Sequence, residues 1–350
     1  MLIFAIDLGQ SKSVFCTLDT ETGEYHFGGF STRPERVRKL LRQHNPQLVV
    51  VEVCPLAAMV HDLAAELGLR TIVADPTQDA WQWKNVKRKT DQDDALKLAR
   101  LAALNQLNAV YMPSLTMRQW RRLVETREAL VAEQTRCKNR IRALLLTVDR
   151  RLAPGKKGWA QKSLTQIREL TRPLADCSPD ELWRGILLLE LDRLEVIAAQ
   201  LQAYHAKLEA WEKTDRRVQL VASMPGIGTV TAAALVAILD NPHRFRSRRQ
   251  VAAYGGLTPR RYQSGQMDRQ GRISKRGNAT LRHLLNQAAW AAVRYSPWFR
   301  AFFLRVGGRS KARRKQAIVA LMHKILVTAW AIMRDERPYH ASALPTAAAA

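Results

Sequence analysis

The sequence predicts an α/β domain over residues 1–112, a pair of long coiled-coil helices over 113–215 and an all-α basic domain over 216–340. Three observations carry that division: alternating strand and helix signals at the start, leucines spaced by seven in the middle, and positive charge concentrated at the end. A chain of 350 residues is long enough for two or three cores.

Leu2–Ile6 is a short buried apolar run, and Ser13–Leu18 and Tyr25–Phe30 read as strands separated by the turn-rich Asp19–Gly23. Pro34–His44 follows as a helix, Gln47–Val53 as a β-branched strand, Leu56–Leu67 as a helix stopped by Gly68, and Arg70–Ala74 as a last buried strand. A further helix opens at Lys89–Leu96 with Thr90 as its cap, so the order is β-β-β-α-β-α-β-α.

In the middle, Leu123, Leu130, Cys137 and Leu144 recur every seven residues, as do Leu187, Leu194, Leu201 and Leu208, joined by Ile197, Tyr204 and Trp211. Pro154, Gly155, Gly158 and Pro173 break the stretch between the two series. An arm that builds a dimer and a pair of helices packing only on each other both satisfy this pattern. The low-complexity tail 341–350 is expected to be disordered.

Charge narrows the partner. The net charge is +25 overall, yet residues 1–112 balance, and residues 216–350 hold 24 basic against 4 acidic side chains. Such asymmetry suits phosphate contacts. No apolar run approaches the ~20 residues of a membrane span, and the apolar start is interrupted at Asp7, so neither a signal peptide nor a membrane helix is predicted. Cys16, Cys54, Cys137 and Cys177 lack the spacing of a zinc knuckle and read as buried thiols in a reducing cytoplasm; the eight histidines are equally scattered.

Acids stand where apolar strands end. Asp7 closes the first strand and Glu52 the fourth, while Asp91 and Asp94 share one face of the helix that Thr90 caps. Carboxylates placed in this way can converge on hard cations for displacement at phosphorus. The bland alternative is a well-capped helix and two ordinary strand-end acids. Asp93 is expected to point away from the shared face and is left out of the site.

Two basic-domain motifs stand out. Met224-Pro225-Gly226-Ile227-Gly228, between a helix and the apolar Val230–Leu239, reads as a helix-hairpin-helix-like turn whose Gly226 and Gly228 free backbone N–H groups for phosphate; a plain helical corner is the alternative. Gly255–Gly265 and Arg269–Asn278 interleave small residues with Arg260, Arg261, Arg269, Arg272, Lys275 and Arg276. Among them, Ser264 has arginines to activate it and Gly265 to let a phosphodiester approach, although composition alone favours a hydroxyl that merely contacts phosphate.

Taken in order, Asp7, Glu52, Asp91 and Asp94, then Pro225-Gly226-Ile227-Gly228, then Gly256–Gly265 and Ser274-Lys275-Arg276-Gly277, resemble the DEDD transposases of insertion sequences related to the Piv DNA invertase, a group that includes bridge-RNA-guided recombinases. The resemblance spans about residues 1–335 and implies an RNase H/RuvC-like first domain. It implies that Asp7, Glu52, Asp91 and Asp94 hold Mg²⁺, in a site with room for two ions, and that Ser264 bonds transiently to DNA. It also implies a structured guide RNA, donor and target DNA, and homodimers pairing into a tetramer, with the RuvC-like domain of one copy meeting the serine domain of another. The setting implied is the bacterial cytoplasm, at the nucleoid. The stretch Gln266–Gly271 has no clear counterpart in the family pattern, which leaves open which of Arg269, Arg272, Lys275 and Arg276 touch the scissile phosphate. A metal-only, junction-resolving nuclease with a nucleic-acid-binding basic domain is the alternative function.

Overall fold

The computed structural model describes residues 1–75, 90–265, 267–308 and 310–340. The tail 341–350 lies outside the described residues. The chain separates into two compact units, Met1–Pro113 and Ser114–Ala350.

The first unit is a five-stranded sheet ordered β3-β2-β1-β4-β5. Its elements are β1 (Leu2–Asp7), β2 (Lys12–Asp19), β3 (Tyr25–Ser31), α1 (Pro34–His44), β4 (Leu48–Glu52), α2 (Ala57–Glu66), β5 (Arg70–Ala74) and α3 (Asp91–Ala103). β1, β2 and β3 pair antiparallel, while β4 joins β1 and β5 joins β4 in parallel. The elements follow the β-β-β-α-β-α-β-α order that the sequence predicts.

β1 and β4 are apolar up to their last residues, Asp7 and Glu52, because both of their faces are covered. Phe4, Ile6, Val49 and Val51 pack with Val37, Leu41 and Val60 of α1 and α2. Ile3, Ala5, Leu48 and Val50 pack on the other face with Ala95, Leu98 and Ala99 of α3. α3 starts where the sequence places its cap: Thr90 accepts from the Asp93 amide, and the Asp93 carboxylate accepts from the Thr90 amide at 3.0 Å.

The second unit opens with α4 (Leu115–Thr147), continues through α5 (Gln161–Arg168) and returns along α6 (Leu182–Thr214). α4 and α6 run antiparallel and pack on each other within the chain. Cys137, Ile141 and Leu145 meet Leu187, Leu191 and Leu194 at one end. At the other end Trp120 stacks on Trp211 at 4.1 Å.

On α6 the expected Leu187, Leu194, Ile197, Leu208 and Trp211 are buried, with Leu201 and Tyr204 half-buried. On α4 only Cys137 of the expected series is buried, and the inner line is Met117, Val124, Cys137, Ile141 and Leu145. In the first third of α4 the line shifts from Leu123 to Val124, because that part of the helix serves a globular core as well as α6. There Arg121 donates to the carbonyls of Ala237 and Ile238 at 2.7 and 2.8 Å.

That core is assembled from α7 (Arg216–Ala222), α8 (Thr229–Leu239), α9 (Arg248–Tyr254), α10 (Ala279–Tyr295), α11 (Pro297–Gly307) and α12 (Arg314–Asp335). Every residue from Thr231 to Leu239 is buried, so α8 is the central helix. α12 is long and apolar enough, by length and composition, to cross a membrane. Its apolar side, from Ala317 to Met333, is part of the same core.

The all-α expectation fails in one place. β6 (Pro259–Ser264) and β7 (Met267–Ile273) form an antiparallel hairpin. Every residue of β6 is exposed, so this ribbon carries none of the apolar alternation by which a half-buried strand shows itself in a sequence. The short connection at Gly265, with φ of 54°, is the surviving signal.

Candidate catalytic and nucleic-acid sites

The four acids can be placed from strand register and helix direction. Ile6 lies opposite Val51 in the parallel β1–β4 pair, which brings the following residues, Asp7 and Glu52, side by side on strands about 4.8 Å apart. Side chains alternate faces along a strand. Asp7 therefore follows Ile3 and Ala5, and Glu52 follows Leu48 and Val50, onto the face that α3 covers.

α3 runs opposite to β1. Arg100, near its end, sits over the Tyr25 ring at 5.8 Å, and Tyr25 is joined through Leu18 to Ile3 at the beginning of β1. The first turn of α3 consequently lies toward the Asp7–Glu52 end. Asp94 is only 9% exposed, among Ala95, Leu98 and Ala99; Asp91, one turn earlier, is exposed. Asp93 is exposed and committed to the capping box, and its hydrogen bonds from the Thr90 hydroxyl and amide hold its carboxyl below the usual range.

An all-oxygen donor set on one face and at one end of a sheet fits a hard divalent cation in chemistry, and Asp94 is costly to bury unless its charge is balanced. The spacing is more open than a closed ligand shell. Among the described residues no three His, Cys, Asp or Glu side chains stand together as they would around one ion.

Ser264 is the last residue of β6 and faces Met267 across the hairpin. Residues directly opposite share a face, so Ser264, Met267, Tyr262 and Arg269 lie on one side, and Arg261, Gln263, Asp268 and Gln270 on the other. Arg269 thus accompanies the serine. Arg261 does not: its guanidinium binds both carboxylate oxygens of Asp268, at 2.8 and 2.6 Å, and that pairing holds the Asp268 carboxyl low. Beside Ser264, a Cβ built on Gly265 would find no atom within 4 Å, so the approach to the hydroxyl at that position is open. Tyr262 and the ribbon itself escaped sequence reasoning.

The rest of the basic block is scaffolding as much as surface. Arg260 reaches the Ser274 carbonyl at 3.4 Å, and the Lys275 amide donates to Gly256 at 3.1 Å. A Cβ on Gly256 would fall 2.0 Å from the Arg276 carbonyl oxygen, and one on Gly277 would fall 2.2 Å from that of Tyr254. These glycines let the two ends of the ribbon pack closely on each other and on the end of α9. The side chains of Arg260, Arg269, Arg272, Lys275 and Arg276 remain exposed.

Met224–Gly228 joins α7 to α8 as expected, but its two glycines differ. Gly226 has φ of 85°, and a Cβ there would meet the Ala292 amide nitrogen at 2.4 Å, so packing against α10 demands glycine. Gly228, the N-cap of α8, is exposed, with nothing within 4 Å of a Cβ. Gly228 has open space in the direction of a side chain, whereas at Gly226 that space is filled by α10.

Comparison with known proteins converges on one family. A profile of the DEDD IS110 transposases, described as "Transposase", matches residues 4–148, and one described as "Transposase IS116/IS110/IS902 family" matches 218–304. A probable family 20 transposase of Pseudomonas aeruginosa is 29% identical over 97% of this chain and 99% of its own length. The transposase for insertion sequence element IS1111A of Coxiella burnetii is 29% identical over 97% of this chain and 92% of its own. A pilin gene-inverting protein of Moraxella lacunata is 27% identical over 80% of this chain and 71% of its own. The ordered acids of the first unit and the basic ribbon of the second thus fall within the two matched segments, and the chain belongs to the IS110 family of DEDD transposases, enzymes that cut and join DNA, and is related to the pilin gene-inverting proteins.

Proposed function

We propose that the chain cuts and rejoins DNA through a phosphoserine intermediate at Ser264, with Asp7, Glu52, Asp91 and Asp94 holding Mg²⁺. The supporting observation is the position of Ser264 at the tip of an exposed ribbon, beside Gly265 and on the same face as Arg269 and Tyr262. The Ser264 oxygen attacks phosphorus and forms an O–P bond. The displaced sugar oxygen leaves and takes up a proton equivalent to the one that the serine gives up. Reversal with another strand's hydroxyl restores the serine and joins the new partners, so no external energy is needed.

Arg269 stabilises the charge that develops on the phosphoryl oxygens, and Arg260, Arg272, Lys275, Arg276 and the Gly228 backbone hold the flanking phosphates. Arg261 contributes less as long as Asp268 occupies it. Asp7, Glu52, Asp91 and Asp94 would hold the ion, and Mg²⁺ bound there would supply positive charge for the reacting phosphate. In this reading a guide RNA from the element selects donor and target, and dimers pair into a tetramer in which one copy's acids serve another's serine. These last two points draw on the family resemblance and on the excess of positive charge.

A second reading, hydrolysis by metal-activated water alone, draws support from the common face and end shared by Asp7, Glu52 and Asp94. Ser264→Ala separates the two. Under the serine reading it abolishes cleavage while binding persists, and cleavage at the wild-type rate would leave only the metal reading. Recombination by nuclease-treated protein at the level of untreated protein would remove the guide RNA from the scheme.

A further inference from the structure

The turn end of the α4–α6 hairpin has no part in the function proposed above, yet its charge is extreme. Residues 136–162 contain nine Lys and Arg and a single acid, Asp149. The charges are sorted in space. Arg136 and Arg140, on the shaft, are paired with Glu133 and Glu190. Lys138, Arg142, Arg150, Arg151, Lys156, Lys157 and Lys162 make no ion pair among the described residues.

Two of these cations are held in place. Lys138 and Arg142, one turn apart on α4, lie 5.4 and 5.1 Å from the centre of the same Trp159 ring. Arg142 also reaches the Gly155 carbonyl at 3.5 Å. With Lys156 they line an open recess. Like charges at this spacing repel, and burial together with Arg142 pulls the Lys138 ammonium below its ordinary pKa. An indole that gathers two cations, flanked by exposed Arg150, Arg151, Lys156 and Lys157, makes a poor structural clamp and a good seat for a polyanion. Arg142 stands roughly 33 Å along α4 from Trp120, where the hairpin joins its base.

We propose that Lys138, Arg142, Lys156 and Trp159 form a second phosphodiester-binding site, which grips the backbone of a nucleic acid at a distance from the β6–β7 ribbon. The proposal rests on the reading of the chain as one that acts on nucleic acid. The chemistry recognised is the backbone phosphate, which duplex DNA and structured RNA share.

The test uses the full chain and follows binding against salt for a duplex DNA and a structured RNA of equal phosphate count. Lys138→Gln/Arg142→Gln/Lys156→Gln is expected to reduce the slope of log affinity on log salt by about 2 to 3 on the probe that occupies the site, since each lost phosphate contact removes about 0.9 for B-DNA and about 0.7 for single strands. The probe that shows the drop identifies the source of the backbone. Arg150→Glu/Lys156→Glu, confined to exposed side chains, is expected to shift the same slope and covers the case in which the triple variant folds poorly. Slopes equal to wild type on both probes, in variants of unchanged helicity, would overturn the proposal. A wild-type chain that bound neither probe would instead overturn the functional reading on which it rests.

Discussion

Replacing Gly226 with alanine places a methyl group 2.4 Å from the Ala292 amide nitrogen, 2.8 Å from its Cα and 2.9 Å from the Ala288 carbonyl oxygen. All three are backbone atoms of a helix that cannot yield locally. The backbone at Gly226, with φ of 85°, adds a conformational penalty of about 1–2 kcal/mol for any L side chain. Overpacking a filled interior costs about 1–3 kcal/mol more, so Gly226→Ala is expected to destabilise the helical unit by about 2–5 kcal/mol. Urea denaturation followed by circular dichroism reads this as a lower midpoint at unchanged slope. Gly228→Ala is the control, because nothing lies within 4 Å of the new methyl group. It is expected to cost no more than about 1 kcal/mol, the loss of glycine at a helix N-cap, and to weaken DNA binding if its backbone meets phosphate. A Gly226→Ala protein as stable as wild type but defective in DNA binding would refute the packing argument and return this glycine to the phosphate site.

Asp268→Asn is expected to release Arg261 and steepen the salt dependence of DNA binding by about 0.7 to 0.9, read from affinities across a salt series. Because Arg261 holds the Asp268 carboxyl below its ordinary value, the pair is intact at neutral and mildly acidic pH and is lost only as pH falls through the lowered value; the difference in salt slope between wild type and Asp268→Asn should therefore stay constant through mild acid. Thr90→Ala is expected to cost about 1 kcal/mol by unmaking the α3 cap, measured by thermal melting. Burial pushes the Cys16 and Cys137 thiols up to about 11, so alkylation of the native protein at pH 8 should spare both, with mass spectrometry of the tryptic peptides as the readout.

The first unit was legible in the sequence almost to the residue, and for a physical reason: its central strands, β1 and β4, are buried on both faces, and burial writes continuous apolar runs such as Leu48–Val51. The acids were visible because a charge that closes such a run is expensive. That Asp7, Glu52 and Asp94 share one face needed register and helix direction, which depend on pairings distant in sequence. The ribbon at 259–273 was hidden because its residues face water on both sides and so lack any hydrophobic period. Gly226 misled, because glycine's freedom serves close packing as well as phosphate approach. The order of heptads found both long helices, whereas the first part of the inner line of α4, Met117 and Val124, was set by α8, a partner that no local pattern announces. The hairpin-tip cations were present in the composition of residues 113–215, but only folding separates them from the paired shaft.

The most direct measurement is the mass of the Ser264 peptide after reaction with a nicked donor substrate that traps the broken strand. The account predicts a nucleotide-bearing Ser264 in the wild-type protein, its absence from Ser264→Ala, and a diminished yield in Glu52→Gln and Asp94→Asn. Full DNA cleavage with an unmodified Ser264 peptide at every time point would contradict it.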